Sequence, residues 1–169
     1  MHSKSTTRIL AIDPGTREMG VALLDRRELV YHGVRTIRKR QSPRDTLDCG
    51  RNVVLRLISD FRPQVLAFEK TFFASNRNAA LLNVFADEIK AIGQRKGLRV
   101  QAFAPSTIKK HVCGHGHATK QEVAHAVVAR YPDLKVYLTQ DRKWKARYHA
   151  NMFAAVAIAL TATDAGGGR

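Results

Sequence analysis

Residues 8–25 read RILAIDPGTREMGVALLD, and the reading of this stretch decides the fold. Arg8 to Ile12 is a short apolar run that stops at Asp13-Pro14-Gly15, a turn sequence in which proline fixes one dihedral and glycine frees the next. Met19 to Leu24 is a second apolar run, ended by Asp25 and two arginines. The pattern is strand, turn, strand, and it sets the carboxylate of Asp13 at a strand terminus rather than among aliphatic side chains. Leu29 to Ile37 alternates well enough to add a third strand and complete a meander.

Beyond the meander, Ser42-Pro43 with Asp45 reads as a helix start, and Leu47, Val53, Val54, Leu57 and Ile58 carry that helix to about Phe61. Gln64 to Phe68 (QVLAF) is a compact strand closing on Glu69, the second acid at a strand end. Leu81, Leu82, Val84, Phe85, Ile89 and Ile92 recur at helical spacing between Asn78 and Arg95. Leu98 to Phe103 alternates like a strand and leads into a short helical turn with Lys109 and Lys110, then a glycine-rich loop at 114–116. Thr119, with Glu122 at the capping-box position, starts a helix whose inward face is Val123, Ala126, Val127 and Ala129. A polar, basic linker covers Tyr131 to Lys145, and an alanine-rich helix runs from about Tyr148 to Thr161. The expectation is an α/β fold in one domain over residues 1–164, with a flexible tail at 165–169. Its central sheet is mixed, three antiparallel strands followed by parallel ones, with helices on its faces.

Among 169 residues, 29 Lys and Arg against 14 Asp and Glu leave a formal charge of +15, so the natural partner is strongly anionic. The cations cluster at Arg35 to Arg40, at Lys109 and Lys110, and at Arg142 to Arg147, which favours a nucleic-acid surface over a generally basic protein. No window approaches the roughly 18 uninterrupted apolar residues of a membrane span. The two cysteines, Cys49 and Cys113, are too few for a disulfide framework and fit a reducing cytoplasm. His111, Cys113, His115 and His117 lack the paired spacing of a zinc site. Gly114-His115-Gly116 follows no strand of a βαβ unit and is not a dinucleotide fingerprint.

Asp13-Pro14-Gly15-Thr16 with Gly20-Val21-Ala22, and then the run from Phe68-Glu69-Lys70 through Thr71, Phe72, Phe73, Ala74, Ser75 and Asn76, resemble the first and second acidic motifs of the RuvC family of Holliday-junction resolvases. The likeness continues through Ser106 to Val123, with a lysine, a Gly-x-Gly loop, a second lysine and a helix, and into Ala155 to Leu160. This resemblance implies a ribonuclease H-like fold and a homodimeric nuclease. Its DNA substrate would be a four-way junction, cut symmetrically in the cytoplasm, with a branch-migration helicase as a candidate partner. It makes Asp13 and Glu69 the first two metal-binding carboxylates of a site that cleaves phosphodiesters by two-metal catalysis with Mg²⁺, Mn²⁺ serving as a substitute. It also assigns DNA contacts to Lys109, Lys110, Lys120, Asn76 and Arg77, and base stacking to Phe72, for which Phe73 competes.

One departure stands out. The family's last helix brings two more acids three positions apart onto the face toward Asp13 and Glu69, and the aligned residues here are Asn151 and Ala154. Asn151 can still offer a carbonyl oxygen and His149 a nitrogen, whereas Ala154 marks the place of a missing aspartate and ligates nothing. Three explanations stay open: a substitution that blocks catalysis, a natural variant using His149 and Asn151, or a non-catalytic protein that binds branched DNA. An actin-like sugar or acetate kinase shares the core, but it needs two such halves and a chain of 169 residues supplies one.

Overall fold

The computed structural model describes residues 7–37, 42–71, 77–140 and 142–166, except the side chains of Arg77 and Asn78. Three strands open the chain, β1 (Arg8–Asp13), β2 (Glu18–Asp25) and β3 (Glu28–Thr36), each antiparallel to the next. Helix α1 (Pro43–Phe61) then crosses to β4 (Val65–Glu69), and α2 (Arg77–Arg95) crosses to β5 (Arg99–Phe103), so that β1, β4 and β5 are parallel. The sheet order is β3-β2-β1-β4-β5. It is mixed as the sequence predicted, with the parallel half built from strand–helix–strand units. After β5 come α3 (Pro105–Cys113), α4 (Lys120–Arg130), a 3₁₀ turn (Pro132–Tyr137) and α5 (Lys143–Ala165).

Alternation along the strands divides the core into two layers. Ile9, Ala11, Ala22, Leu24, Val65 and Ala67 face α5, where Met152, Phe153, Val156 and a series of alanines lie buried. Leu10, Ile12, Met19, Val21, Leu23, Leu66 and Phe68 face the other way, onto Val54 and Leu57 of α1 and Phe85, Ile89 and Ile92 of α2. Strands covered on both faces read as continuous apolar runs, which is why 8–25 shows runs rather than a polar–apolar alternation.

Ala11, Ala22 and Ala67 on the sheet and the buried alanines of α5 let the helix lie close to the sheet. At Gly20 a Cβ would fall 1.8 Å from the backbone oxygen of Asn151 and 3.2 Å from the Cβ of Asp13. A glycine is therefore required where α5 crosses β2, and that crossing sets Asn151 beside the end of β1.

Three expectations need correction. The last helix is 23 residues long and begins at Lys143, five residues before the predicted start at Tyr148, so residues 143–145 of the predicted linker are helical. Six more of its residues form the 3₁₀ turn Pro132–Tyr137, whose one buried residue, Leu134, is too little to show a periodicity. The same helix runs through Ala165, so the flexible tail expected from residue 165 does not start there. Asp164 holds that end, accepting from Arg27 at 3.0 Å, with His111 Nε2 at 2.9 Å from its other oxygen. In α4 the buried face is Val123, Ala124 and Val127, and the predicted Ala129 is exposed.

Replacing Gly20 with alanine should cost on the order of 3 kcal/mol, at or above the upper end for overpacking, because the obstructing atom is backbone. Denaturant unfolding of Gly20→Ala measures this; a loss under about 0.5 kcal/mol would show that α5 does not press on β2 as described.

Candidate active site

Ile12 and Phe68 are parallel partners facing α1 and α2, so the next residues of their strands, Asp13 and Glu69, both turn to the α5 side. The parallel β1–β4 pairing thus puts two carboxylates side by side at the carboxyl ends of adjacent strands. They share a cleft of about 230 Å³ with Lys109, Lys120, Asn151 and Ala154 over an apolar floor that includes Ile108, Val123 and Phe153.

Each cation reaches the cleft for a local reason. Pro105 at the first turn of α3 starts the helix that carries Lys109. Lys120 opens α4, whose first turn is fixed by a capping box: the Thr119 backbone N–H donates to Glu122 at 2.6 Å and the Glu122 N–H donates to the Thr119 hydroxyl at 3.2 Å. The adjacent Lys110 is exposed and does not line the cleft.

The acids carry an electrostatic load. Burial first, and then the charge of Glu69, push the Asp13 carboxyl up from about 3.8 to about 7, while Lys120 pulls the other way. Burial also raises Glu69, against the opposing pull of Lys109 and Lys120. Two nearby anions, partly desolvated and opposed by Lys109 and Lys120, form a site that gains from a cation.

Asn151 enters from α5, and its side-chain Nδ2 donates to Glu18 Oε2 at 3.3 Å. A carboxylate only accepts, so the amide turns its NH₂ to Glu18 and keeps its carbonyl Oδ1 for another partner. Glu18 is the residue the sequence reading missed. That reading started the second strand at Met19, whereas β2 begins one residue earlier. Gly20 pairs with Asp13, and a residue two positions away shares its face, so Glu18 stands on the Asp13 side of the sheet. With two carboxylates and one amide oxygen, the donor set suits one hard divalent cation that keeps positions open for phosphate and water.

His149 is not brought to the cleft. Two residues along a helix turn it away from Asn151, and its ring packs on Tyr137 at 4.8 Å and Tyr148 at 5.3 Å between centroids. Burial lowers its pKa. The histidine–cysteine segment is dispersed as well, with His111 on Asp164 and His115 3.5 Å from Glu122. Phe72, Phe73 and Asn76 lie outside the described residues, as does the side chain of Arg77.

Comparison with known proteins follows the same lines. The family model described as crossover junction endodeoxyribonuclease RuvC matches residues 9–161. A crossover junction endodeoxyribonuclease RuvC from Halorhodospira halophila is 32% identical over 127 residues, 73% of this chain and 76% of the relative. One from Rickettsia akari is 28% identical over 138 residues, 79% of this chain and 88% of the relative. The structure of Thermus thermophilus RuvC in complex with a Holliday junction substrate superposes with a TM-score of 0.73 at 25% identity, covering 94% of each chain. Yeast mitochondrial Ydc2, a Holliday junction resolvase, shares the fold at a TM-score of 0.70 and 15% identity, over 94% of this chain and 78% of Ydc2.

The raised Asp13 carboxyl has a signed effect on stability. Between about 3.8 and about 7 the folded chain holds a proton that the unfolded chain has released, so stability falls as pH rises through that window and then levels. The full shift would correspond to about 4 kcal/mol, and water in the cleft reduces it to the order of 1–2 kcal/mol. Metal-free Asp13→Asn should therefore be more stable than the parent by about that amount at pH 8, the gain shrinking toward pH 5. Thermal unfolding in a chelator checks this, and a less stable Asp13→Asn at pH 8 would contradict it.

Proposed function

Because the chain belongs to the crossover junction endodeoxyribonuclease RuvC family, we propose that it is a structure-selective endonuclease that hydrolyses DNA phosphodiesters at four-way junctions. The observation that carries this reading is the pairing of Asp13 and Glu69 on adjacent parallel strand ends, opposite Lys109 and Lys120, in an open cleft. Asp13, Glu69 and Asn151 Oδ1 would hold Mg²⁺, or Mn²⁺ in its place. The bound cation supplies Lewis acidity toward the phosphate and an activated water. Lys109 and Lys120 hold the scissile phosphate by charge and orient it toward the two acids.

Two divalent cations bring four positive charges, and the cleft offers two carboxylates. The chain's own ligands therefore favour one tightly held cation, and a second would depend on the oxygens of the DNA. Ala154 is the reason, since a carboxylate at that lining position would complete the set. The competing reading, a junction-binding protein without catalysis, draws its support from this same Ala154 and from the neutral Asn151.

The DNA path follows α5. Trp144, Arg147, Asn151 and Ala154 are spaced three, four and three apart, which puts them on one stripe of the helix. Trp144 is 54% exposed, a costly position for so large an apolar ring unless something covers it. Arg142, Lys143, Lys145 and Arg147 surround it in sequence, so that end of α5 offers a stacking surface within a basic field. A homodimer fits this reading because a two-fold assembly matches a two-fold junction. A branch-migration helicase is the partner that would deliver the junction.

Mixing the chain with a labelled four-way junction and a matched duplex in Mg²⁺ and Mn²⁺ tests the proposal. The expected outcome is preferential junction binding and slow symmetric nicking, which Glu69→Gln abolishes and Ala154→Asp accelerates at least about tenfold. Binding without nicking in the parent and in Ala154→Asp would favour the binding protein, and no preference for the junction would overturn both. Trp144→Ala should weaken junction binding about tenfold, in line with the loss of one stacked base, with the unfolding temperature unchanged. Unchanged affinity would remove Trp144 from the DNA path.

A further inference from the structure

Glu18 does not line the cleft and has no role in the proposed reaction, yet it accepts a hydrogen bond from the Asn151 amide. The amide of Asn151 has two unlike ends. Its oxygen can ligate a cation, whereas its NH₂ can only donate. Beside Asp13 and Glu69, both acceptors, an unconstrained amide would turn its NH₂ toward them and close the cleft to a cation. Glu18 takes that NH₂ instead, its Oε2 accepting at 3.3 Å.

We infer that Glu18 is a positioning residue that makes Asn151 a metal ligand, by holding its NH₂ and leaving Oδ1 to the cation. Three features fit it for this. It shares the sheet face of Gly20 and Asp13. It sits two residues before Gly20, where the Asn151 backbone lies against β2, so the two side chains start within reach of each other. Finally, it is half-buried, so its hydrogen bond is less open to exchange with water than one on an exposed surface. The arrangement adds a carboxylate behind the ligand shell of a site that lacks one at Ala154. A group that orients a metal ligand through its other polar end typically controls metal affinity by about tenfold or more.

This inference rests on the metal-dependent reading of the cleft, and the test separates the two. Mn²⁺ binding is followed by electron paramagnetic resonance titration, without DNA, in the parent, Glu18→Ala, Glu18→Gln, Asn151→Asp and the double variant Glu18→Ala with Asn151→Asp. Glu18→Ala should weaken Mn²⁺ binding about tenfold. Glu18→Gln retains an acceptor oxygen for the Asn151 NH₂ and should keep most of the affinity. In the Asn151→Asp background the side chain presents an oxygen either way, so removing Glu18 should no longer weaken binding. An equal loss from Glu18→Ala in both backgrounds would reduce Glu18 to a structural residue and overturn the inference, as would no loss in the Asn151 background. No Mn²⁺ binding by the parent would overturn the metal-dependent reading together with it.

Discussion

Two carboxylates held side by side in a half-desolvated cleft are the constraint around which this molecule is arranged. Asp13 and Glu69 are neighbours only because β1 and β4 pair in parallel, and the helix α1 between them is the crossover that parallel pairing requires. Their mutual repulsion and their burial oppose the fold, as the displaced Asp13 carboxyl records. The buried apolar layers on both faces of the sheet hold them there against that cost. Such stored electrostatic strain is common where a protein must present charge to a ligand. Here it is relieved by whatever positive charge enters the cleft, first from Lys109 and Lys120, then from a cation and its phosphate.

Helix α5 is the second half of the site, and its approach is decided by size rather than charge. Alanines along its inner face and Gly20 on β2 allow near contact of helix and sheet, so that Asn151 reaches the strand ends. Had the contact been made through larger side chains, the helix would stand farther off and neither Asn151 nor any residue at position 154 would share a cleft with Asp13. The helix has kept this geometry while its two positions facing the acids are an amide and a methyl group. An amide can serve as a ligand only when oriented, and in this structure the orienting partner is Glu18.

Much of this was legible in the sequence because the relevant signals are local. The Asp-Pro-Gly turn, the apolar runs and the Thr119–Glu122 capping box each state their structure within a few residues, and the order of strands and helices implies the mixed sheet. The acids at the ends of β1 and β4 were found by the same logic. What stayed hidden depends on contacts distant in sequence. Asn151 and Glu18 are 133 positions apart, and nothing in either neighbourhood announces their hydrogen bond. His149 looked like a nitrogen donor near the site, and only the helix phase and its packing on Tyr137 turn it away. The early start of α5 was masked by its basic, polar first turns, whose residues face solvent and so lack an apolar periodicity.

The account depends most on the cleft being a divalent-cation site made by the two strand-end acids. Crystals grown without metal and soaked in Mn²⁺, with anomalous diffraction collected near the manganese edge, would test this directly. The account predicts a peak within coordination distance of both the Asp13 and Glu69 carboxylates and on the oxygen side of Asn151, absent from crystals of Asp13→Asn. An empty cleft in fully soaked crystals, or a peak that persists unchanged in Asp13→Asn, would contradict it.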